Sequence, residues 1–392
     1  MSSQKPSLKD VIAGRTRKCK LDEKNQKLLY CGIDIEKLAG RVSFEEVAWL
    51  LLVGREKYIE RSRFTSFSQD LQRSWWKFPH KEFWENVDAA IRACPREARA
   101  MDILRQAIGT FGAHDHRKDI QGEEEDREVA TDLIGNFGYF VGLVHRYKSS
   151  LEPLLITPID KGSLAANLLY LLGKKPTELE VGIMDLLFTL YAEHEFNAST
   201  WGGVRIAATV GTDIYSGVIN GLNNLKGNLH GGANETASRF IQGCARLEGK
   251  LEEFLIAEVG KTLRKEIDWK CPGFGHPVYK NGDVRVPILK EYVRALACQK
   301  KNTEYFNLCE RIEIAMLKAK DIYLKDYPNF TWWFPNVDFW SAPAYTLMDI
   351  PLYLNTPLFA ASRIAGWCAH WIECKYGLKE KLIRPRAEYI GD

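Results

Sequence analysis

The sequence predicts a mainly α protein, and three observations carry that prediction. Most of the 392 residues follow a helical apolar period. Two capping boxes, Ser43 with Glu46 and Thr177 with Glu180, mark helix starts. Strand-like alternation is scarce, and no fixed-period repeat is present.

In chain order, residues 16 to 31 alternate weakly around Asp22-Glu23-Lys24-Asn25 and read as a small hairpin. Ser43 opens a helix, with Val42 placed to staple on Val47. That helix runs through Ala48-Trp49-Leu50-Leu51-Leu52 and stops at Gly54. Gly122-Glu123-Glu124-Glu125-Asp126 is a helix lead-in, and Leu151 to Pro158 is a proline-bearing connection. Thr177 opens a run through Ile183, Leu186, Leu187 and Leu190 that ends close to His194. Glu235 to Leu247 is amphipathic, with Asn234 as its expected N-cap. Residues 286 to 300 and 309 to 326 are further amphipathic helices.

Length allows two or three domain-sized units, or one large domain with a smaller partner. Lys plus Arg is 54 and Asp plus Glu is 51, so the net charge of +3 points to neither nucleic acid nor an anionic membrane as partner. The basic cluster Arg15-Thr16-Arg17-Lys18-Cys19-Lys20 reads as solvated. The nine cysteines include no C-x-x-C and read as reduced, mostly buried thiols in a reducing compartment. Met1 to Asp10 lacks the apolar core of a signal peptide, and no run of 18 apolar residues exists. The expectation is a soluble, cytoplasmic protein.

Five groups could carry chemistry. Leu225-Lys226-Gly227-Asn228-Leu229-His230-Gly231-Gly232-Ala233-Asn234 sets a histidine between a glycine turn and a helix start. The helix N-terminus disfavours imidazolium, so a neutral His230 could donate a hydrogen bond to a developing oxyanion. His194 lies between two glutamates, but no second histidine follows at helical spacing, so a metal is not indicated. It reads as an anion-binding or a structural histidine. Cys271-Pro272-Gly273-Phe274-Gly275-His276 is another glycine turn ending in histidine, with Arg285 nine residues on. It is no P-loop, but its backbone amides could cradle part of an anion. Asp338 sits in Phe334-Pro335-Asn336-Val337-Asp338-Phe339-Trp340, where desolvation would raise its pKa and make it a better base. Arg363 lies in an apolar run, and Arg384 and Arg386 flank Pro385. An arginine fork matches a carboxylate bidentately. Each motif also has a purely structural reading: a turn, a cap or an internal ion pair.

Together these motifs resemble the citrate synthase family, including its 2-methylcitrate synthase branch. The resemblance runs from Tyr30-Cys31-Gly32-Ile33-Asp34-Ile35 to Ile383-Arg384-Pro385-Arg386-Ala387-Glu388-Tyr389. It implies a mostly helical two-domain fold, with a large domain of 1–226 and 336–392 and a small domain of 227–335. It also implies a homodimer whose active site is completed across the interface. The implied reaction condenses oxaloacetate with acetyl-CoA and then hydrolyses the thioester, without a metal or cofactor; propionyl-CoA is the alternative cosubstrate.

The same resemblance assigns roles. Asp338 would take the proton, His230 would hold the enolate oxygen, and His276 would polarise the ketone and protonate the alkoxide. His194, Arg285 and Arg363 match positions that bind oxaloacetate, and Arg384 matches one supplied by the partner subunit. Phe359 would line the cleft, and Pro272, Gly273, Phe274 and Gly275 would meet CoA. Departures occur at Cys31 (often arginine), at Val284 (usually proline) and at Arg205, which comes one position late after Ala198-Ser199-Thr200. Tyr191-Ala192-Glu193-His194 and His276-Pro277-Val278-Tyr279 resemble the 2-methylcitrate branch, whereas the Arg384 to Tyr389 end looks like ordinary citrate synthase. A non-catalytic helical dimer, serving in binding or assembly, is the contrasting class. The complete set His230, His276, Asp338, Arg285 and Arg363 argues against it.

Overall fold

Apolar residues at helical spacing wind into sixteen α-helices among the described residues, with one small sheet. The computed structural model describes residues 11–60, 64–77, 81–120, 122–151, 162–227 and 230–391. The readings of Met1 to Asp10, of most of the Leu151 to Pro158 connection, and of Asn228-Leu229 fall outside these residues. Among the described residues, no helix is long and apolar enough to cross a membrane.

The expected hairpin forms and gains a third strand. β1 (Cys19–Asp22) pairs antiparallel with β2 (Lys27–Tyr30), Cys19 opposite Tyr30, and β2 pairs with β3 (Ile33–Asp34), Tyr30 opposite Ile33. Both capping boxes are made. Ser43 accepts from Glu46 N ahead of helix Phe44–Val53, and Thr177 accepts from Glu180 N ahead of helix Glu178–Tyr191. Each cap satisfies amides that the first turn leaves without partners. The late amphipathic helices are Arg285–Gln299 and Thr303–Tyr323, the second beginning ahead of the expected residue 309, with Phe306 already in its buried stripe.

The basic cluster is not all solvated. Lys18 is buried, and its Nζ donates to Leu51 O at 2.7 Å. That carbonyl lies in the last turn of helix Phe44–Val53, where a cation is favoured and the helix has no amide of its own to offer. Cys31, one of the departures noted in the sequence, donates its thiol to Leu50 O in the same turn. All nine cysteines are free, and seven are buried.

The core is built around the helix Asn355–Ile372, every residue of which is buried. Helices Phe44–Val53, Glu123–Lys148, Glu178–Tyr191 and Ile214–Leu225 pack against it. A second set pairs Leu251–Leu263 with Thr303–Tyr323, and packs Ala233–Cys244 and Arg285–Gln299 against Val337–Leu347. Helix Arg285–Gln299 also packs against Glu178–Tyr191 and so joins the two sets.

Arg205, displaced by one position in sequence, has a structural account. Thr200–Arg205 winds as a π-helix, with Val204 N donating to Ser199 O five residues back. A π-turn holds one more residue than an α-turn, so it absorbs the extra residue without breaking the helix. Gly203 permits this, because a Cβ there would stand 2.8 Å from the Asn220 carbonyl carbon in the neighbouring helix.

Candidate active site

The predicted groups lie around His194, just beyond the helix Glu178–Tyr191. Its ring stands edge-on to His276 with centroids 5.0 Å apart, and edge-on to Tyr279 at 5.6 Å. Burial drives its pKa well below the usual histidine value, and Arg285, His276, Arg363 and His230 push it the same way. Those four causes name the neighbours that the chain has gathered. The His194 Nε2 is buried and makes no hydrogen bond within the protein.

His230 precedes the helix Ala233–Cys244. Burial first, and then Arg363, lower its pKa to about 4, so it is neutral at pH 7. The expected neutrality holds, but burial and a guanidinium cause it rather than the helix end. Its Nε2 lies 2.9 Å from Ser199 Oγ and 3.3 Å from Asn197 Oδ1. Asn197 Oδ1 accepts the amides of Ser199 and Thr200 and also the Ser199 hydroxyl at 2.7 Å. The expected cap is corrected: Gly232, not Asn234, occupies the N-cap position. Asn234 turns inward instead, where its amide donates to Asp338 O at 3.1 Å and to Ser341 Oγ, and its Oδ1 accepts from Asn355. A buried amide is worth more in such a network than on an exposed helix end.

His276 has a tautomer set by the backbone. Its Nδ1 accepts from Val278 N at 3.0 Å and from Tyr279 N at 3.1 Å, so the proton sits on Nε2. Burial lowers its pKa to about 4; Asp283 opposes this shift, while Arg285 and Lys280 add to it. The ring stacks on Tyr279 with centroids 4.6 Å apart.

Asp338 lies in the first turn of helix Val337–Leu347, which Asn336 caps by accepting its amide. Burial raises its carboxyl to about 6, against the opposing pull of the Tyr191 hydrogen bond and of Arg285 and Arg363. Tyr191 Oη donates to Asp338 Oδ1 at 2.7 Å. Phe339 and Trp340, expected to desolvate the acid, pack the other way, against Phe274 and Phe306. Successive helical residues point in different directions, so adjacency in sequence did not give adjacency of side chains.

Arg285 and Arg363 are buried, at 3% and 1% exposure. Asp283 grips Arg285 bidentately, at 2.9 Å to Nε and 2.7 Å to Nη2, and also accepts Val337 N at 3.0 Å. One carboxylate therefore ties the arginine to the start of the helix that carries Asp338. Arg363 Nε donates to Tyr191 O at 2.7 Å, while its Nη1 is buried with no partner in the chain. Phe359 lies under the Arg363 guanidinium at 4.8 Å, 4.4 Å from the Tyr191 ring and 6.1 Å from that of His230.

Two expected contributors stand differently. The turn Pro272 to Gly275 does not offer the amides of Phe274 and Gly275 to an anion. They donate to Cys271 O and Phe334 O, and Phe274 is buried against Phe339. That turn instead fixes the segment leading to Asp338, since Asn336 N donates to Gly273 O and Asn336 Nδ2 to Gly275 O. Arg384 and Arg386 lie on the exposed C-terminal segment and make no hydrogen bond or ion pair among the described residues.

Sequence reasoning missed Tyr191, Ser199, Asn197 and Asp283 as partners of the main groups. Tyr191, Ser199 and Asn197 all lie in the motif around His194, and Asp283 is two residues from Arg285. A polar residue within a few positions of a candidate histidine or arginine was the available signal. Among the described residues, no group of three or more His, Cys, Asp or Glu could hold a metal ion.

The chain is similar to known proteins along nearly its whole length. The family model for the citrate synthase C-terminal domain matches residues 7–386. A citrate synthase from Mycolicibacterium smegmatis is 34% identical over 385 residues, covering 98% of this chain and 94% of its own length. A citrate/2-methylcitrate synthase from Bacillus subtilis is 32% identical over 388 residues, covering 98% and 96%. The structure of the Thermoplasma acidophilum citrate synthase, solved as a ternary complex with carboxymethyl coenzyme A and oxaloacetate, superposes with a TM-score of 0.81. It is 29% identical and covers 98% of this chain and 95% of its own.

Proposed function

The chain belongs to the citrate synthase family, and we propose that it is an enzyme that condenses oxaloacetate with acetyl-CoA and hydrolyses the product thioester, releasing citrate and CoA. The observation that carries this reading is that Tyr191 joins the buried Asp338 carboxyl, through its hydroxyl, to the buried Arg363 guanidinium, through its carbonyl, while Asp283 ties Arg285 to the start of the Asp338 helix. A thioester methyl is a weak carbon acid, so its proton leaves only when a base and an oxyanion stabiliser act together.

In this reading Asp338 removes the α-proton, and a ring N–H of His230 donates to the thioester oxygen as the enolate develops. The enolate carbon attacks the ketone of oxaloacetate, whose oxygen accepts from His276 Nε2–H and takes that proton. Water then cleaves the thioester and frees the CoA thiol. Arg285, Arg363 and His194 hold the two carboxylates of oxaloacetate. Both guanidiniums are buried, which makes them strong and directional toward a dianion. Phe359 forms the apolar wall, and the Pro272 to Gly275 turn lies along the path of CoA. Acid–base and electrostatic groups of the chain suffice, so neither metal nor cofactor enters.

We further propose a homodimer in which Arg384 of each chain reaches the partner's site. The exposure of that segment in one chain supports this reading. The large domain of 1–226 and 336–392 would close on the small domain of 227–335 and exclude water. The free cysteines support a reducing, cytoplasmic setting, and the proposed reaction is the entry step of the tricarboxylic acid cycle. Propionyl-CoA use, giving 2-methylcitrate, is the second reading. It is favoured by Tyr191-Ala192-Glu193-His194 and by the dual name of the Bacillus relative. One methylene in an apolar pocket is worth about 1–3 kcal/mol, so either preference is physically accessible. Steady-state rates with both acyl-CoAs, read by thiol release, decide between them. A higher kcat/KM for acetyl-CoA is expected, and a clear propionyl-CoA preference would reverse the assignment.

A further inference from the structure

Behind the oxaloacetate groups runs a buried chain of charges that the proposed reaction does not use. Arg205 stands at its centre, fully buried. Its Nη2 donates to Glu380 Oε1 on the C-terminal segment and to Arg15 O near the other end of the chain. Its Nη1 donates to Glu373 Oε2 at 3.1 Å and meets His370 Nδ1 at 3.0 Å. A guanidinium only donates, so His370 Nδ1 is the acceptor and the ring proton sits on Nε2. That proton faces Glu193 Oε1 at 3.1 Å.

Glu193 is fully buried, and its Oε2 has no hydrogen-bond partner in the chain. It immediately precedes His194. It is also the carboxylate that most offsets the burial of Arg363. Gly366 makes room for it, since a Cβ there would fall 2.2 Å from Glu193 Oε2. A buried carboxylate with one free oxygen is expensive to keep unless its charge has a task.

We infer that Glu193 is a positioning residue for the oxaloacetate site, and that Glu380–Arg205–His370–Glu193 couples the seating of the chain ends to Arg363 and His194. Each link is oriented by the one before it. Arg205 fixes the His370 tautomer, His370 fixes one Glu193 oxygen, and the other oxygen packs against Gly366, one helical turn from Arg363, whose Nε holds Tyr191 O two residues before Glu193. Loosening Glu380 therefore reaches the dicarboxylate without touching it.

The inference rests on the reading that this site takes oxaloacetate, and the experiment separates the two. Oxaloacetate affinity is measured by titration calorimetry on the full-length wild-type protein and on Glu380→Gln, Glu380→Asp, Glu193→Gln and the double variant Glu380→Gln/Glu193→Gln, with kcat and Tm alongside. Coupled residues give non-additive effects, whereas independent ones add. Glu380→Gln is expected to weaken binding about threefold to tenfold with kcat within about twofold, and Glu380→Asp to restore much of the loss. The double variant should bind no more weakly than Glu193→Gln alone. Variants with lowered Tm but unchanged affinity, or single effects that multiply in the double variant, would overturn the inference. Wild-type protein that fails to bind oxaloacetate would overturn the underlying reading, and the inference with it.

Discussion

Asp338 is the residue on which the proposed chemistry turns, and its environment makes two predictions. Burial raises its carboxyl to about 6, so the base is lost as pH falls through that value. The pH profile of kcat/KM should therefore rise along a limb near pH 6, while His230 and His276 stay neutral well below it. The Tyr191 hydrogen bond stabilises the carboxylate, so Tyr191→Phe should move the limb upward and reduce activity several-fold at pH 6.5. An unmoved limb would remove Tyr191 from the account. For stability the sign follows from a folded pKa above the unfolded one: the protonated acid is favoured in the fold, and that contribution, full at low pH, is lost as pH rises through about 6. Asp338→Asn should thus abolish turnover, leave oxaloacetate binding intact, and stabilise the unliganded protein at pH 7.5 by on the order of 1–3 kcal/mol. Denaturant titrations at pH 7.5 and pH 4 check this, because the gain should shrink at the lower pH.

At the scale of elements, helices were legible where caps and apolar period agree. Ser43 with Glu46 and Thr177 with Glu180 gave two helix starts to the residue, since a cap bond is a local event. Asn234 failed as a cap because the long-range partners Asp338, Ser341 and Asn355 outcompete a local amide, and no local pattern reveals them. The start of helix Thr303–Tyr323 was missed although its first turn already places Phe306 in the core, with Asn302 as cap. The late Arg205 was visible as a displacement, but the π-turn that absorbs it depends on the backbone of a different helix. Gly203→Ala would press a methyl to within 2.8 Å of that backbone. It should destabilise the fold by about 1–3 kcal/mol. Thermal unfolding of this variant, with no loss of Tm, would show that the π-turn has room the geometry denies it.

For the whole molecule, the site joins side chains from distant parts of the sequence, and family order made those parts readable before any distance was known. The order could not show that Asp283 ties Arg285 to the Asp338 helix, nor that Glu193 meets His370. Those are properties of packing, set when helices Arg285–Gln299 and Asn355–Ile372 come against Glu178–Tyr191. Arg384 carries the test of assembly. Arg384→Ala should raise the oxaloacetate KM at least about tenfold, as removal of one partner of a desolvated charge pair does, while sedimentation still reports a dimer. An unchanged KM, or a monomeric wild-type protein, would count against a site shared between subunits.

The most direct measurement is release of free thiol by the purified wild-type protein given oxaloacetate and acetyl-CoA at neutral pH, with each substrate omitted in turn. The proposed function predicts thiol release that requires both substrates and disappears in Asp338→Asn. Absence of oxaloacetate-dependent release with acetyl-CoA and with propionyl-CoA alike would contradict it.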